Sequence, residues 1–497
     1  MLRIFNHEIM APDNFVVTVE LVPGREPTGR TTDTILGIAK DAFADGRVCA
    51  VSITDNPGGN PSLSPDVLGY EIFKQGLDVI VHFTCRDMNR VGMESRTLQL
   101  ARMGIKNILA LTGDYTGKGF GGRGTPVFDL DSVILTSMLK SLSGKLAASG
   151  DPEEFFTGCA VSPFKTTEAE CYAQYNKLDR KIEAGASFVI TQLGYDTEKF
   201  QELMRYHKQN INNHIPIIAS AYLLSPRSAK AMYKGKVPGA YLSDNLYENV
   251  MKEWKTPRQG LKAAIERTAK LGVILKGLGY RGIHIGGVHK SFKTVAAILD
   301  RMDEIQNSWQ DFLHEFNPHH EKTCYMFSKQ KIEAAPISVK DDLKSKFFDL
   351  LPYTLLNAAH GLFFNKKSFL APIFKKIAGM IDQNGKAWLL KYLLEDPVKI
   401  ILLSCQSCGD CGIQHVAFQC PESGCPKHTR NGPCGGSRDG YCEVHPDRRC
   451  IWVRAYVRLQ YSHATGTFIK QTVPPRNWAL DKTSSWINFH LERDHQK

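Results

Sequence analysis

Residues 49–84 read CAVSITDNPGGNPSLSPDVLGYEIFKQGLDVIVHFT. The runs Cys49–Thr54 and Val79–Thr84 are β-rich and apolar, and between them Val67–Gly76 repeats its apolar residues at helical spacing. This stretch therefore predicts a strand, a helix and a second strand. The same alternation continues through about the first 300 residues, so the unit decides the fold class of most of the chain.

Eight predicted strands alternate with helices, which is the pattern of an α/β fold of the (β/α)8 TIM barrel type. The other strands are predicted at Phe15–Val22, Ile108–Leu111, Gly158–Val161, Phe188–Gln192, Ile215–Ala219 and Gly282–Ile285. Further helices are predicted at Asp33–Phe43, Ser132–Leu146, Ala169–Ala184, Glu198–Asn210 and Ser225–Tyr233. A doubly wound open sheet fits nearly as well, but no G-x-G-x-x-G motif opens a helix after the first strand.

The composition is that of an ordinary soluble globular chain, with 42% hydrophobic and 23% charged residues. No stretch approaches the roughly 20 apolar residues of a membrane helix, so we expect no membrane partner. The N-terminus, MLRIFNHEIMAPDNF, lacks the features of a signal peptide, which favours a cytoplasmic protein. The net charge of +11 suits an anionic ligand or an acidic partner, and no zinc-finger or aromatic-basic pattern favours nucleic acid. A homo-oligomer is compatible with these features.

The length of 497 residues predicts at least two domains. The alternation breaks in the polar stretch Asn317–Lys344, so we place the barrel at 1–310, a linker at 311–344 and a second domain at 345–497. Helical spacing follows at Phe347–Leu362, Phe369–Ile381 and Trp388–Leu394. The second domain is therefore expected to be helical in its first part and rich in cysteine after it.

Eight of the thirteen cysteines are concentrated in this second domain. They are Cys405, Cys408, Cys411, Cys420, Cys425, Cys434, Cys442 and Cys450. In a reducing compartment, cysteines at two-residue spacing favour metal binding over disulfides, with free redox thiols as a further alternative. A Cys-x2-Cys-x2-Cys run can cap one face of a [4Fe–4S] cube, whereas structural zinc more typically uses two separated Cys-x2-Cys pairs. The count allows two cubes, one cube with one zinc, or zinc alone, and the spacing does not assign ligands to sites.

Polar residues end several of the predicted strands. Glu20 follows the first run, His82 lies in the third, Asp114 follows the fourth and Gln192 ends the sixth. Each alone is typical of an exposed loop residue or a hydrogen-bonded core residue. Because barrel strands end at one mouth, where functional groups lie, these residues are expected to meet there.

Four segments resemble, in order and spacing, the 5,10-methylenetetrahydrofolate reductase family. They are TVELVP (Thr18–Pro23), VHFTCRDMNR (Val81–Arg90), NILALTGD (Asn107–Asp114) and KIEAGASFVITQLGYD (Lys181–Asp196). CQSCGDC (Cys405–Cys411) and NGPCGG (Asn431–Gly436) resemble the cysteine-rich C-terminal domain carried by some bacterial reductases. The resemblance implies a flavin-holding barrel that interconverts 5,10-methylenetetrahydrofolate and 5-methyltetrahydrofolate, an oxidoreductase acting on CH–NH donors.

The resemblance also implies roles for single residues. Glu20 falls on the general acid that protonates the substrate, which then accepts hydride from flavin N5, and Asp114 falls on a carboxylate near the flavin N1–C2=O edge. The implied cofactor contacts are Thr54, His82, Gly113 and Asp114, with Arg180 and Lys181 near the flavin phosphates. The implied substrate contacts are Gln192, Tyr241 and Lys290.

The sequence departs from the family where the AMP half of FAD would lie, for example at Thr112, Phe128 and Lys177. The flavin is therefore FAD or FMN. Iron–sulfur clusters would carry single electrons to it from a donor such as ferredoxin, with NAD(P)H as the alternative donor. Two other functions are weighed: a methyltetrahydrofolate-binding methyltransferase barrel, and a metal-dependent docking protein with an idle barrel.

Overall fold

The computed structural model describes residues 4–150, 154–210, 215–316, 323–327 and 343–496, without the side chains of 343–349. Eight parallel strands close into a barrel in these residues, so the open-sheet alternative is excluded. The strands are Val16–Leu21, Val48–Ile53, Asp78–Thr84, Asn107–Leu111, Phe156–Val161, Phe188–Thr191, Ile217–Tyr222 and Gly282–Gly286. All eight predicted strands are confirmed as elements.

The first strand closes the barrel, because it pairs with both the second and the eighth strand. Val17 pairs with Val48 of the second strand on one side and with Ile283 of the eighth on the other. The seventh strand begins at Ile217 and not at Ile215 as predicted, because Pro216 has no N–H with which to join the ladder. All eight strands therefore end at one mouth.

Helices cover the outside of the barrel. The predicted ones are observed at Arg30–Asp45, Pro65–Lys74, Ser132–Ala148, Glu168–Glu183, Thr197–Asn210 and Pro226–Tyr233. Four more were not predicted: Arg90–Arg102, Asp244–Glu253, Pro257–Gly277 and Lys293–Ile305. In the first of these, Val91 and Leu98 are exposed while Arg96 is buried, so its sequence lacks the usual apolar stripe. No described helix is long and apolar enough to cross a membrane.

A short helix, Phe5–Met10, closes the end of the barrel opposite the mouth. The Phe5 ring packs edge-on against Phe188 with ring centroids 5.1 Å apart, and the Phe5 amide donates to Asp78 Oδ2 at 2.8 Å. Phe5 and Ile9 are fully buried among inward-facing strand residues such as Ile80. The barrel interior is therefore packed at the end opposite the mouth.

The second domain begins with helices, as predicted. They span Leu343–Phe363, Ala371–Gln383, Ala387–Leu390 and Asp396–Leu403, and the cysteine-rich part adds Ile451–Tyr461 and Ser485–His490. A π-helical turn, Lys391–Glu395, joins the third helix to the fourth. The predicted linker falls largely on residues outside the described part of the chain, so the domain bounds stay a prediction.

Phe5→Ala is expected to lower the free energy of unfolding by about 3–5 kcal/mol, because it leaves a cavity at the floor of the barrel. Met10→Ala, on the same helix but 57% exposed, is the matched control and should change the stability little. Urea denaturation followed by fluorescence measures both variants. Equal losses for the two would contradict the packing role of Phe5.

Candidate active site

Glu20 is the last residue but one of the first strand and lies inside the mouth. Its side chain is 25% exposed, and its Oε2 lies 4.0 Å from Nε2 of His284. Removal from water raises the pKa of this carboxyl to about 7. Near neutral pH the group is therefore present both with and without its proton, which is the property of a general acid or base.

His284, on the eighth strand, lies beside Glu20 as a neutral neighbour. Its Nδ1 lies 2.8 Å from Thr18 Oγ1 and its Nε2 lies 3.3 Å from Ser52 Oγ. Burial lowers the pKa of His284 to about 3, so the imidazole is neutral. Sequence reasoning missed this residue, although its place between the outward-packing Ile283 and Ile285 marks it as inward-facing.

Tyr222 and the chain after the eighth strand form the accessible side of the mouth. Burial and the nearby Glu20 raise the pKa of Tyr222 to about 12, and its hydroxyl lies 3.5 Å from Nε2 of His289. A Cβ on Gly286 would stand 2.9 Å from the Tyr222 ring and 3.3 Å from Glu20 Oε1, so glycine leaves room for both. Lys290 is exposed beside them.

Thr54 directly follows the second strand and His82 lies on the third, and both are at the mouth. Thr54 Oγ1 and His82 Nε2 are buried, and neither has a hydrogen-bond partner among the described residues. Burial lowers the pKa of His82 to about 4, so its ring is neutral at physiological pH. Buried polar atoms nearly always have partners, so these two are suited to a polar ligand in the mouth.

Gly113 and Asp114 follow the fourth strand. Asp114 Oδ2 accepts the Gly58 amide at 2.9 Å. Gly113 has φ 88°, and a Cβ there would stand 2.9 Å from Thr84 Cβ, so both the conformation and the space require glycine. The Gly113 carbonyl accepts a hydrogen bond of 2.7 Å from Lys427 Nζ, which comes from the cysteine-rich domain.

The cysteine-rich domain covers one side of the mouth with residues 427–438, which we call the docked loop. Asp131 Oδ2 accepts the amides of Arg430 at 3.1 Å and Asn431 at 2.9 Å. Lys177 Nζ donates to the carbonyls of Gly432 at 3.1 Å and Pro433 at 3.0 Å. Fully buried barrel side chains thus bind the loop backbone, which makes the two parts of the chain one site.

Lys427 brings a charged side chain of the docked loop into the barrel mouth. It is buried and forms an ion pair with Glu443, and it faces Asp114 across the Gly113 carbonyl. Nothing in its sequence context marks it as a barrel residue, because it lies more than three hundred positions from Gly113. The sequence prediction of the site therefore lacked it.

Several residues predicted for cofactor or substrate have protein partners. Arg180 Nη1 donates to the Lys470 carbonyl at 2.6 Å, and Lys181 Nζ donates to the Ala160 carbonyl at 2.5 Å. Gln192 Nε2 donates to the Pro238 carbonyl at 2.9 Å. The Tyr241 ring lies 5.6 Å from the guanidinium of Arg438. The structure thus brings Glu20, Thr54, His82, Gly113 and Asp114 to the mouth, with these four at its covered side.

The eight clustered cysteines form two sets of four. Cys405, Cys408, Cys411 and Cys420 line one cavity, which we call the outer thiol set. The inner thiol set is made up of Cys425, Cys434, Cys442 and Cys450. Burial raises the pKa of the last three thiols, and Cys425 lies close enough to each of them for its charge to raise it further. Cys434 belongs to the docked loop, so the inner set adjoins the barrel mouth.

Each thiol set offers four thiolates, which is one complete donor set for a metal centre. A tetrahedral zinc site and an iron–sulfur cube are both bound by four thiolates. The donor chemistry therefore fits either group, and the Cys405-x2-Cys408-x2-Cys411 run is the feature that favours a cube at the outer set.

The fold and the mouth together define a (β/α)8-barrel protein whose candidate site is completed by a cysteine-rich domain. Residues 6–303 match the family described as "Methylenetetrahydrofolate reductase", and residues 390–479 match "Methylene-tetrahydrofolate reductase C terminal". Because the first match covers more than half of the chain, the chain belongs to the methylenetetrahydrofolate reductase family. The resemblance drawn from the sequence is confirmed.

Individual relatives are distant. The "Probable methylenetetrahydrofolate reductase (NADPH)" of Caenorhabditis elegans is 30% identical over 152 residues, 30% of this chain and 21% of that one. "Methylenetetrahydrofolate reductase 1" of Schizosaccharomyces pombe is 24% identical over 274 residues, 52% of this chain and 42% of that one. The chain thus spans less than half the length of these relatives. A solved protein from Clostridium thermocellum that "binds two copies of 5-methyl-5,6,7,8-tetrahydrofolic acid" aligns with 14% identity and a TM-score of 0.41, covering 61% of this chain and 98% of that one.

Asp131→Ala is expected to release the docked loop, because the Arg430 and Asn431 amides lose their acceptor. It also removes the N-cap of the helix Ser132–Ala148. Hydrogen–deuterium exchange should become faster at residues 430 and 431, with a stability loss of roughly 1–3 kcal/mol.

Ser243→Ala is the matched control, because it removes the N-cap of another barrel helix and does not touch the loop. It should lower stability without changing exchange at residues 430 and 431. Unchanged exchange in the Asp131 variant would show that the loop is held by other contacts.

Proposed function

We propose that this protein is a flavin-dependent oxidoreductase that interconverts 5,10-methylenetetrahydrofolate and 5-methyltetrahydrofolate. The observation that carries the proposal is Glu20, a carboxyl with its pKa raised to about 7 at the mouth of a barrel of this family. The orphaned polar atoms of Thr54 and His82 lie in the same mouth and suit the polar edge of a flavin. The names of the relatives support the same reaction.

Glu20 supplies the proton that the reaction needs. Opening the five-membered ring of methylenetetrahydrofolate requires protonation of a ring nitrogen, which produces an iminium carbon on the substrate. A neutral His284 beside Glu20 leaves the carboxyl without a cationic partner, so its proton is retained until neutral pH. A bound flavin would supply hydride from N5 to that carbon. Overall, two electrons and two protons enter the substrate.

The cofactor would be held by Thr54, His82, Gly113 and Asp114. Lys427 Nζ donates to the Gly113 carbonyl, so the cysteine-rich domain contributes an ammonium group beside these four residues. The Gly58 amide donates to Asp114 Oδ2 and so orients this side chain. A carboxylate near the N1–C2=O edge would disfavour the anionic reduced flavin, and the nearby ammonium would offset part of that effect.

The docked loop favours FMN over FAD. The family positions for the AMP half lie at residues such as Lys177, whose ammonium binds the Gly432 and Pro433 carbonyls. Arg180 binds the Lys470 carbonyl, and Asp131 binds two loop amides. These three side chains therefore bind the backbone of the cysteine-rich domain. The positions at which the sequence departs from the family lie in the same region, where the AMP half of FAD would be.

Flavin released by denaturing the purified protein is expected to be FMN. Chromatography against FMN and FAD standards identifies it, and the flavin content per chain is measured from the same sample. Release of FAD in an amount equal to the protein would contradict the role given to the docked loop. Release of no flavin would favour the methyltransferase or docking alternatives.

The substrate would enter on the side of Tyr222 and Lys290. Lys290 is exposed there and suits the carboxylates of the folate glutamyl tail as a single charge. Gln192 and Tyr241, in the chain after the sixth and the seventh strand, lie toward the docked loop. Their proposed contact is with the pterin.

Glu20→Gln is expected to lower the rate of methylenetetrahydrofolate reduction by about 10²–10⁴-fold, the usual contribution of a general acid. In the wild type, kcat/KM should fall as pH rises above about 7, because the carboxyl then loses the proton that it must donate. Anaerobic assays with reduced methyl viologen as the donor measure both effects.

Glu26→Gln, in the exposed loop after the same strand, is the matched control and should keep the wild-type rate and pH profile. A wild-type rate in the Glu20 variant would remove this residue as the acid. So would a wild-type profile without a falling limb near pH 7.

We further propose that the two thiol sets hold [4Fe–4S] clusters that carry electrons to the flavin. The tight Cys405-x2-Cys408-x2-Cys411 run supports a cube at the outer set, and the position of Cys434 in the docked loop places the inner set next to the mouth. The outer thiol set would then receive the electrons from the donor before the inner set does. Single-electron centres suit a one-electron carrier such as ferredoxin better than direct hydride transfer from NAD(P)H.

Paired substitutions should remove the clusters one at a time. Cys408→Ser with Cys411→Ser, and separately Cys434→Ser with Cys442→Ser, are each expected to lower the iron content from about eight to about four per chain. Cys49→Ala, a buried barrel cysteine, is the control and should retain all the iron. Iron and zinc are measured on anaerobically purified protein, and stoichiometric zinc without iron would contradict the electron relay.

A further inference from the structure

Two buried cysteines outside the thiol sets lie next to each other on the outer side of the barrel. Cys171 belongs to the helix Glu168–Glu183, and Cys324 belongs to residues 323–327, which fall within the predicted linker. The Cys171 thiol forms a hydrogen bond with the Cys324 thiol, and its Sγ lies 3.7 Å from the Cys324 carbonyl oxygen. Tertiary folding therefore brings together two thiols that are 153 positions apart.

Lys199 adds a buried cation to this pair of thiols. Its Nζ donates to Cys171 Sγ at 3.4 Å and also to the Cys324 carbonyl, and its side chain is 1% exposed. The hydrogen bond from the Cys171 thiol lowers the pKa of the Cys324 thiol, and the Lys199 ammonium lowers it further against the opposing effect of burial. The thiolate is the nucleophilic form of cysteine, so Cys324 is the thiol suited to react first.

A cavity of about 30 Å³ lies beside the two thiols. Lys199, which contacts Cys171, and Thr323, which precedes Cys324, are among the residues that line it. A water molecule needs a cavity of roughly 10–15 Å³. The cavity is therefore large enough for hydrogen peroxide and too small for a bulky oxidant such as glutathione disulfide.

Residues 323–327 are attached to the barrel by hydrogen bonds close to Cys324. The Cys324 amide donates to the Thr166 carbonyl at 2.8 Å, and the Tyr325 hydroxyl donates to Asp196 Oδ2 at 2.9 Å. A disulfide from Cys324 to Cys171 would add a covalent bond to the same attachment. It would also close a loop of roughly 150 residues, which stabilises a folded chain mainly by restricting the unfolded one.

We propose that Cys171 and Cys324 are a peroxide-sensitive dithiol, which hydrogen peroxide oxidises to a reversible disulfide. The Cys324 thiolate attacks one peroxide oxygen, the O–O bond breaks, and the products are the sulfenic acid of Cys324 and hydroxide, which takes up the proton that Cys324 released. The Cys171 sulfur then attacks the sulfenic sulfur, the S–S bond forms, and the oxygen leaves as water with the Cys171 proton. Two electrons thus pass from sulfur to oxygen, and this oxidation needs neither the flavin nor the folate substrate.

The test treats the full-length holoenzyme with an equimolar amount of hydrogen peroxide, blocks the remaining thiols with N-ethylmaleimide and maps the digest by mass spectrometry. Peptides joined through Cys171 and Cys324 should appear, and dithiothreitol should separate them again. The temperature of half-unfolding should rise by several degrees on oxidation. Cys324→Ser should lose both the linked peptides and the rise. Cys159→Ser removes another buried barrel thiol beside a lysine, Lys181, and as the matched control should retain both.

The other outcomes overturn the proposal. Two thiols that both remain free after peroxide would do so, as would Cys324 oxidised to sulfinic acid beside a free Cys171. A disulfide from Cys324 to one of the eight clustered cysteines would assign a different partner. A bond between Cys171 and Lys199 that retains an oxygen has a different mass from a disulfide and would assign the chemistry to the lysine. The linked peptides are measured on the wild type, so they decide the question even where a variant is unstable.

Discussion

Closure of the barrel between the first and eighth strands is the constraint on which the site depends. The pairing of Val17 with Ile283 and Val19 with Ile285 aligns Glu20 with the end of the eighth strand, beside His284. Because every strand of a parallel barrel ends at the same mouth, the same closure gathers Thr54, His82 and Asp114 around one opening. Desolvation in that opening, and not a neighbouring charge, sets the proton affinity of Glu20.

The second constraint is the packing of the cysteine-rich domain on the barrel. Asp131 acts twice, since one carboxylate oxygen caps a barrel helix and the other binds the Arg430 and Asn431 amides. Lys177 adds two bonds to loop carbonyls. These contacts place Cys434 and Lys427 next to residues that the barrel contributes, so the inner thiol set and the barrel mouth share one wall. A barrel without this domain would lack that wall.

Much of the fold could be predicted because its signals are local. The eight strands were predictable from short β-rich apolar runs, and the helices from apolar residues at helical spacing. The helix Arg90–Arg102 was missed because it buries Arg96 and exposes Val91 and Leu98, which reverses the usual pattern. The site was predictable where the family motifs lie, as at Glu20. It was not predictable at His284 or Lys427, since their importance depends on neighbours more than two hundred residues away.

By itself the sequence determined the class of fold, the family and the clustering of eight cysteines in one segment, because periodicity, motif order and residue type are properties of short segments. Only the tertiary structure decided how those cysteines divide into two sets, and that the basic residues Lys177 and Arg180 bind the docked loop. It also decided that the helices before the outer set turn their leucines outward. The physical reason is the same in each case: distances, burial and the partner of a charge depend on segments that are far apart in the chain.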